Sequence, residues 1–364
     1  MSLVQPLPEG PLDIVGDIHG EFDALVSLLG HLGYDGDGNH PAGRRVVFLG
    51  DFVDRGPDSI AVLELARRWI GAGRALAVLG NHEVNLLRED AKDGSGWFFD
   101  ERLERDLRKY TFARRPQPHE RTWIIEFLSG LPVALERDDL RVVHAVWNDT
   151  LVDRARTVPG GHVRAQYDAW EEIALREATA GDLRRRLDEE SGLWTHDLED
   201  PQRQPPFLPA LAELEYSKQM TNPLKVMTSG AEAIIDPGVT QPFYSGGTWR
   251  FVRRLGWWDE YADDVPVIVG HYWRTVRRRT VPPEGSFNQD LFSELSPNEW
   301  HGLRGNVFCV DFSVGAKWKE RSDGVTTGTN ARLAALRWPE RTLMFDDGHA
   351  QATEGFLVAC EPRG

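Results

Sequence analysis

The chain has 364 residues, of which 41% are hydrophobic and 27% are charged, a balance typical of globular proteins. This length permits one large domain or two, with a sizeable core. The formal net charge of −15 repels nucleic acid and anionic lipid at long range, which argues against a nucleic-acid-binding or membrane-surface protein.

The cellular compartment follows from what the sequence lacks. Its two cysteines, Cys309 and Cys360, do not support a disulfide framework and fit a reducing compartment. Residues 1–11 contain no basic region followed by an apolar stretch, so we expect no signal peptide. No apolar run approaches the roughly 20 residues of a membrane helix. The sequence therefore predicts a cytoplasmic protein with no stable nucleic-acid or membrane partner.

Strands and helices alternate over the first 145 residues. Apolar runs that end in Gly or in polar residues predict strands at residues 12–15, 45–49, 76–79, 132–135 and 140–143. Apolar residues at helical spacing predict helices at residues 21–32, 60–70, 82–89 and 122–128. This alternation is typical of an α/β layered core.

In the second part of the chain, the regular alternation of predicted strands and helices ends. Residues 155–222 are predicted to form a largely helical insertion, with a long helical stretch at 162–187 that is interrupted at Gly181-Asp182. Further strands are predicted at residues 224–227, 265–269, 307–310, 333–336 and 343–345. We expect a single domain over residues 1–364, with the helical insertion or cap within it.

A residue suited to metal binding follows each of five predicted strands. In chain order these residues are Asp17 with His19, then Asp51, Asn81, His144 and His271. Sites form at the carboxyl ends of strands in open α/β sheets, so we expect these side chains to lie together. Carboxylate, imidazole and amide-oxygen ligands suit divalent cations, and one carboxylate can bridge two of them. The sequence therefore predicts a centre of two divalent metal ions.

Each of these residues alone has a simpler interpretation. Asp17 and His19 could belong to a turn, Asn81 could cap a helix, and His144 could be a core histidine with its hydrogen bonds satisfied. Because all five strand ends carry such residues, the metal centre is favoured over five separate structural explanations.

Three motifs carry a resemblance to a known family: Gly16-Asp17-Ile18-His19-Gly20, Gly50-Asp51-Phe52-Val53-Asp54-Arg55-Gly56 and Gly80-Asn81-His82-Glu83. They resemble the signature of the calcineurin-like metallophosphoesterases, in the phosphoprotein phosphatase branch. That branch includes Ser/Thr protein phosphatases and bacterial symmetrical dinucleoside tetraphosphatases. The resemblance is strongest over residues 12–145 and resumes over 265–338, where 307–315 and 331–339 look like closing strands of the bacterial members.

The resemblance implies a fold and a set of metal ligands. The fold is a four-layer αββα sandwich, in which two stacked mixed β-sheets are flanked by helices. Two divalent ions are implied, with Mn²⁺ expected and Fe or Zn tolerated by the same ligands. The implied ligands are Asp17, His19 and Asp51 for the first metal, with Asp51 as the bridge, and Asn81, His144 and His271 for the second.

The resemblance also implies how phosphate would be handled. Arg55 would bind the phosphate with two parallel hydrogen bonds, assisted by Asn81. His82 would protonate the leaving oxygen as a general acid, and Asp54 would orient His82. The implied reaction is in-line hydrolysis by a hydroxide that bridges the two metals.

Two departures from the family pattern concern substrate choice and branch. Residues 145–147 read Ala-Val-Trp where the protein phosphatases have Gly-Gly, which narrows the approach to the site. Tyr272-Trp273 follow His271 without the further histidine of the phosphodiesterase branches, which favours the phosphoprotein phosphatase branch. The family usually has a second phosphate-binding arginine, and Arg250 and Arg274 are candidates for it.

Three functions are compatible with these residues. The main hypothesis is hydrolysis of phosphate monoesters in phosphoproteins or small molecules. The alternative is hydrolysis of dinucleoside polyphosphates by the same chemistry with a different leaving group. A non-catalytic binding protein is disfavoured, because Asp51, Asn81 and His82 are all present.

The 13 tryptophans leave one further question open. Core packing explains them most simply. A surface on which a base or an aromatic side chain stacks is the alternative.

Overall fold

The computed structural model describes residues 2–245, 247–277, 291–325 and 330–357. Its strands are β1 (Val4–Pro6), β2 (Leu12–Val15), β3 (Arg45–Phe48), β4 (Ala75–Ala77), β5 (Ala134–Arg137), β6 (Leu140–Val143), β7 (Glu232–Ile234), β8 (Phe243–Ser245), β9 (Thr248–Arg250), β10 (Val252–Arg254), β11 (Val267–Val269), β12 (Val307–Cys309), β13 (Ala334–Trp338), β14 (Thr342–Phe345) and β15 (Ala350–Ala352). Its α-helices are α1 (Phe22–Leu32), α2 (Ser59–Gly71), α3 (Asn81–Leu87), α4 (Asp100–Asp106), α5 (Pro118–Ser129), α6 (Asp149–Arg156), α7 (Val163–Ala178), α8 (Leu183–Leu193), α9 (Pro209–Met220), α10 (Pro223–Ser229) and α11 (Lys317–Ser322).

Two mixed sheets form the framework. The six-stranded sheet has the order β15-β14-β13-β2-β3-β4, with β2, β3 and β4 parallel and β13 to β15 antiparallel. The five-stranded sheet has the order β1-β5-β6-β11-β12, with β6, β11 and β12 parallel. In both sheets the strands that precede the predicted metal ligands are therefore neighbours running in one direction.

The two sheets pack face to face. Ile14 and Val47 of the six-stranded sheet share one buried cluster with Val142, Ile268 and Phe308 of the five-stranded sheet. Because side chains alternate along a strand, the opposite faces are free to bury apolar residues against helices. Helices α1 and α2 pack on the six-stranded sheet, and α6 packs on β1 of the other. These layers confirm the predicted αββα sandwich.

The predicted strands of both sheets agree with the structure to within two residues at either end. One further predicted strand, at residues 224–227, is wrong, because this segment lies inside α10. The Asn222 side chain accepts hydrogen bonds from the backbone N–H groups of Leu224 and Lys225, and Pro223 opens the helix. Both features begin helices. A four-residue apolar run fits a buried strand and a helix face equally well, so periodicity alone misassigned it.

Residues 155–222 are largely helical, as the sequence pattern predicts, and contain α7, α8 and α9. Arg88, which ends α3, connects this region to the site-bearing part of the chain through a 2.7 Å ion pair with Asp168. Within the region, the Asn222 amide donates a 3.0 Å hydrogen bond to the Tyr167 carbonyl. The assignment of 155–222 as an insertion in a single domain over 1–364 stays a prediction.

The structure describes one of the two cysteines and shows the character of the helices. Cys309 is buried and free, whereas Cys360 lies outside the described residues. Among the helices of the described residues, none combines the length and the apolar character needed to cross a membrane.

Candidate metal centre and active site

The two stacked sheets bring all six predicted metal ligands together. Four of them come from the six-stranded sheet, where β2, β3 and β4 end, and two come from the five-stranded sheet, where β6 and β11 end. Most of these side chains are almost fully buried. In chain order the six residues are Asp17, His19, Asp51, Asn81, His144 and His271.

Asp51 lies at the centre of this cluster. Its Oδ2 atom is 3.5 Å from His144 Nε2, 3.7 Å from His19 Nε2 and 4.0 Å from His82 Nε2. Ligand atoms that share one metal at about 2.1 Å lie at such separations from each other, whereas hydrogen-bonded atoms lie closer together. The geometry therefore makes Asp51 the residue best placed to bridge two cations.

His271 joins the two sheets at this point. Its backbone N–H donates to both carboxylate oxygens of Asp17, at 3.2 and 3.1 Å, and its Nδ1 is 2.9 Å from Asn81 Oδ1. Asp17 and Asn81 belong to the six-stranded side, so the contacts of His271 connect ligands from both sheets.

Two compact groups of donor atoms could each hold a metal ion. One is formed by Asp51, His144 and His271, and the other by His19, Asp51 and His82, with the atoms of each group within 4.8 Å of one another. The second group contains His82 where the sequence predicts Asp17. The Asp17 carboxylate accepts hydrogen bonds from the His271 backbone N–H.

The histidines are oriented as metal ligands commonly are. His144 Nδ1 is 2.6 Å from the Leu49 carbonyl oxygen, and His19 Nδ1 is 3.1 Å from that of Val53. A histidine that donates one N–H to a carbonyl presents its other nitrogen for coordination. The Nε2 atoms of His144 and His271 are buried and have no hydrogen-bond partner among the described residues. The residues present therefore fit a divalent metal centre.

The electrostatics of the cluster also favour cations. Burial and then the nearby Asp311 carboxylate raise the pKa of Asp17 well above its usual value. Although burial opposes it, the charges of His144 and His82 lower the pKa of Asp51. Burial likewise opposes a charge on His144, but the Asp51 and Asp17 carboxylates raise the pKa of His144 to about 10. A divalent cation at this position would relieve the repulsion between these buried carboxylates.

Unusual backbone conformations concentrate at the site. Among the described residues, nine non-glycine residues have a positive φ, a conformation that side chains disfavour. Six of the nine are His19, Asp51, Asp54, Arg55, His271 and Trp273. Such strain persists only where the surrounding structure enforces it, and it is common at functional sites.

Two glycines allow neighbouring segments to approach the carboxylates of the site closely. A Cβ atom at Gly80 would collide with the Asp51 carboxylate, and one at Gly270 would collide with that of Asp17. A residue with a side chain at either position would displace a predicted metal ligand.

The predicted acid, His82, forms a well-defined pair with Asp54. His82 Nδ1 is 2.6 Å from Asp54 Oδ2, and the imidazole donates because an ionised carboxylate only accepts. Trp97 Nε1 donates to the other carboxylate oxygen at 2.7 Å. Sequence reasoning missed Trp97, which lies far from any motif and is 1% exposed. The pair leaves His82 Nε2 facing the metal cluster.

Arg55 lies next to the cluster, where a phosphate group could reach it. Its Nη1 donates to His19 Nε2 at 3.0 Å, and its guanidinium lies over the Trp273 ring. Gly315 packs against both partners, since a Cβ there would contact His19 and Arg55 Nη1. A cation bound at His19 Nε2 would displace Arg55 from this nitrogen and free the guanidinium for a ligand.

Glu83 connects the segments that follow β3 and β4, a role that the sequence pattern did not predict. Its carboxylate accepts hydrogen bonds from the backbone N–H groups of Asp51, Phe52 and Gly80, at 2.8, 2.8 and 2.9 Å. It is fully buried, and burial together with the Asp51 carboxylate raises the pKa of Glu83 to about 7. Its place three residues after Gly80 in a helix start was a signal that could have identified it.

The two candidates for a second phosphate-binding arginine do not lie free in the site. Arg274 is 1% exposed and donates to the Ser296 and Glu299 carbonyls, so it serves the core. Arg250 pairs with Glu232 at 3.1 Å. Arg254, at the end of β10, is a further cation in this region: burial and then the charge of Arg254 lower the pKa of His271.

A paired metal-ligand set beside a histidine–aspartate pair and an arginine is typical of metal-dependent phosphoesterases. Residues 10–218 match the family model described as calcineurin-like phosphoesterase, which covers more than half of the chain. The chain belongs to the calcineurin-like phosphoesterase family. The resemblance recognised in the motifs is thereby confirmed, and the family implies divalent metal ions.

Two curated relatives of this chain are named as tetraphosphatases. The chain is 43% identical over 79 residues to an asymmetrical bis(5'-nucleosyl)-tetraphosphatase PrpE of Halalkalibacterium halodurans, covering 21% of this chain and 32% of the relative. It is 28% identical over 272 residues to a symmetrical bis(5'-nucleosyl)-tetraphosphatase of Acidovorax, covering 71% and 87%. The chain thus spans about a third of the length of the asymmetrical relatives that it matches.

Solved structures with similar folds include two with high coverage. A cold-active protein-tyrosine phosphatase of Shewanella has a TM-score of 0.46 and 16% identity, covering 96% of this chain and 82% of that one. A putative diadenosine tetraphosphatase has a TM-score of 0.42 and 17% identity, covering 95% and 97%.

Proposed function

We propose that this protein hydrolyses dinucleoside polyphosphates, which is the alternative that the sequence analysis set beside phosphate monoesters. The observation that carries the proposal is the match to a symmetrical bis(5'-nucleosyl)-tetraphosphatase over 87% of that protein's length. The asymmetrical tetraphosphatase relatives support the same substrate class over the first motifs. A small nucleotide is accordingly favoured over a phosphoprotein as the substrate.

We assign the metal ligands as the motifs predict. Asp17, His19 and Asp51 would hold one divalent ion, and Asp51 would share the second with the remaining ligands Asn81, His144 and His271. Bound divalent ions would favour ionisation of a water molecule and would offset charge on the phosphate. Mn²⁺ is the ion we propose, with Fe and Zn as the alternatives that these ligands tolerate.

The chain's own residues would then orient the phosphate and deliver a proton. Arg55 would donate two hydrogen bonds to phosphate oxygens, and Arg254, whose charge lowers the pKa of His271, would supply a second positive charge. Asn81 lies beside His271 and would contact the same phosphate.

Proton delivery would fall to His82. Water adds its oxygen to phosphorus, the bond to the leaving oxygen breaks, and His82 Nε2 gives that oxygen a proton. Asp54 would hold the ring with Nε2 toward the site. For a dinucleoside tetraphosphate the products are two nucleotides, whose lengths depend on which phosphorus is attacked.

Product analysis tests this function. The protein is stripped of metal, Mn²⁺ is added back, and diadenosine tetraphosphate, p-nitrophenyl phosphate and a phosphopeptide are offered in parallel. We expect cleavage of the dinucleotide, to ADP alone or to ATP with AMP, and no cleavage by Asp51→Asn. Hydrolysis of the two monoesters without the dinucleotide would overturn the proposal and favour the second candidate.

The second candidate is hydrolysis of phosphate monoesters. The observation that favours it is the 2.6 Å contact between His82 and Asp54, because an alkoxide leaving group needs a proton more than a phosphate does. A cytoplasmic location also remains a prediction.

A further inference from the structure

Trp273 is an exposed aromatic residue beside the proposed phosphate-binding arginine. Its exposed fraction is 39%, and Arg55 Cζ lies 4.9 Å from the centre of its ring. The preceding residues behave differently, since His271 and Tyr272 are each only 5% exposed. The chain therefore passes from a buried site residue to an open indole within two positions.

The backbone holds this indole in place. Trp273 has a φ of +56°, and its N–H donates to Asp311 Oδ2 at 2.7 Å. The next N–H, that of Arg274, donates to the Asp311 carbonyl at 2.9 Å, and the Arg274 side chain is buried against Phe308. A disfavoured conformation enforced from both sides is common at functional sites. Here its effect is to position a large aromatic ring next to Arg55 without burying it.

Two further aromatic residues, Tyr110 and Trp318, are engaged with other groups. Tyr110 is 3% exposed, donates to Asp93 at 2.5 Å and packs edge-on against Trp318. The Trp318 ring also carries the Lys109 ammonium, 4.6 Å from its centre. Of these described aromatic residues, Trp273 is the one that presents a large open ring.

We propose that Trp273 forms a nucleobase subsite, on which a base of the substrate stacks while Arg55 holds a phosphate of the same molecule. This inference rests on the proposed function. A dinucleoside polyphosphate carries a base at each end of its phosphate chain, so a phosphate at Arg55 brings a nucleoside to the rim of the site. Stacking uses the flat face that every base has, and the subsite would accept different bases.

The test compares ADP with pyrophosphate as competitive inhibitors, because they share two phosphates and differ in the nucleoside. In Trp273→Ala we expect the inhibition constant of ADP and the KM for diadenosine tetraphosphate to rise about tenfold, the loss that one stacked base corresponds to. The inhibition constant of pyrophosphate should rise much less than that of ADP, because pyrophosphate has no base to lose. Trp273→Phe, which keeps an aromatic face, should recover most of the loss.

Trp123→Ala is the matched control. Trp123 on α5 also stacks with an arginine, since Arg67 Cζ lies 4.6 Å from its ring, but it lies outside the site cluster. This variant should leave both inhibition constants at their wild-type values. Thermal unfolding of each variant establishes that it is folded before kinetics are compared.

Two outcomes would overturn the subsite. An equal rise in both inhibition constants would mean that Trp273 orients Arg55 and touches no base, and an unchanged ADP constant would mean that it does neither. Fluorescence provides a second measurement, because ADP should quench the wild-type protein more strongly than Trp273→Phe. Failure of the proposed function gives a different result, because the protein would then cleave p-nitrophenyl phosphate but not diadenosine tetraphosphate. In that case the inhibition constants of ADP and pyrophosphate can still be measured with p-nitrophenyl phosphate as the substrate.

Discussion

At the scale of single residues, Asp54 holds His82 in a defined orientation. Both of its carboxylate oxygens are occupied, one by His82 Nδ1 at 2.6 Å and the other by Trp97 Nε1 at 2.7 Å. The Trp97 hydrogen bond prevents the carboxylate from rotating away, and the carboxylate in turn fixes which nitrogen of His82 faces the metal cluster. Three side chains from separate segments thereby define the direction in which a proton can be delivered.

Replacing His82 should reduce the hydrolysis of alkyl phosphates more than that of dinucleoside polyphosphates. For His82→Asn we expect kcat on alkyl phosphates to fall about 10²–10⁴-fold, because an alkoxide leaves poorly without a proton. Hydrolysis of a dinucleoside polyphosphate should fall much less, since its leaving group is a phosphate. The measurement is kcat for both substrate types in the same Mn²⁺-loaded preparation. Equal losses on both would count against His82 as the acid.

A second residue-scale effect concerns stability and lies away from the metal ligands. His301 is 4% exposed and packs edge-on against Trp258 at 4.7 Å and Phe292 at 5.3 Å. Burial, and then the charge of Arg274, lower the pKa of His301 well below its usual 6.5. The folded protein therefore resists protonation of a group that the unfolded chain titrates normally.

The pH dependence of stability follows from this depressed pKa. The contribution of His301 is fully present above about pH 6.5 and decreases by about 1.4 kcal/mol per pH unit as the pH falls below that value. His301→Phe fills the same aromatic surroundings without titrating, so the acid-side slope should become shallower. Urea unfolding between about pH 7.5 and 5.5 measures the slope. His119→Asn, at an exposed position of α5, should leave it unchanged, and identical slopes for all three proteins would contradict the prediction.

At the scale of elements, the start of α3 connects two strand ends of the six-stranded sheet. Glu83 lies in the first turn of this helix and accepts backbone hydrogen bonds from the loop after β3 and from Gly80 before α3. One side chain thus holds the segments that carry Asp51 and Asn81 at a fixed separation. The short helix matters for the ligands it positions more than for its own stability.

Glu83→Gln should weaken both stability and metal-dependent activity. The amide offers one acceptor oxygen and one donor group where the carboxylate accepts three N–H bonds, so at least one buried donor loses its partner. We expect a loss of about 1–3 kcal/mol in the free energy of unfolding. Chemical denaturation measures it, with the exposed Glu126→Gln on α5 as the control. A stability equal to wild type would mean that the loop relaxes and Glu83 does not hold it.

At the scale of the whole molecule, the cluster of proposed metal ligands joins the two sheets. Asp17 and Asp51 come from the six-stranded sheet, whereas His144 and His271 come from the five-stranded sheet. The sheets already share an apolar interface. Cations bound between their strand ends would add a second connection that exists only in the folded state.

Metal removal should consequently lower thermal stability as well as activity. A ligand at 100 times its Kd that binds only the folded state stabilises it by about 2.7 kcal/mol, so Mn²⁺ should raise Tm of the stripped protein in a concentration-dependent way. Asp51→Asn should reduce this response, because it removes the proposed bridging carboxylate. Asp37→Asn, in an exposed loop, should respond as wild type does. A Tm that is independent of Mn²⁺ in the wild-type protein would refute the cross-sheet centre.

Much of the core and of the ligand set could be predicted because the relevant patterns are local. Each ligand follows an apolar run of a few residues, and the end of such a run is readable from neighbouring positions alone. The same local reading failed at residues 224–227, where four apolar residues fit either a strand or the helix α10. It also offered Arg274 as one of two candidates for a second phosphate-binding arginine, although this side chain is buried in the core.

The sequence by itself determined the layered α/β class, the six clustered residues and the family to which the chain belongs. Only the tertiary structure decided how these residues meet and which others join them. Asp17 and His271 are in contact although 254 positions separate them. The contacts of Trp97 with Asp54 and of Trp273 with Arg55 likewise depend on distant segments. Such contacts are set by how the two sheets and their loops pack, and local sequence patterns do not encode that packing.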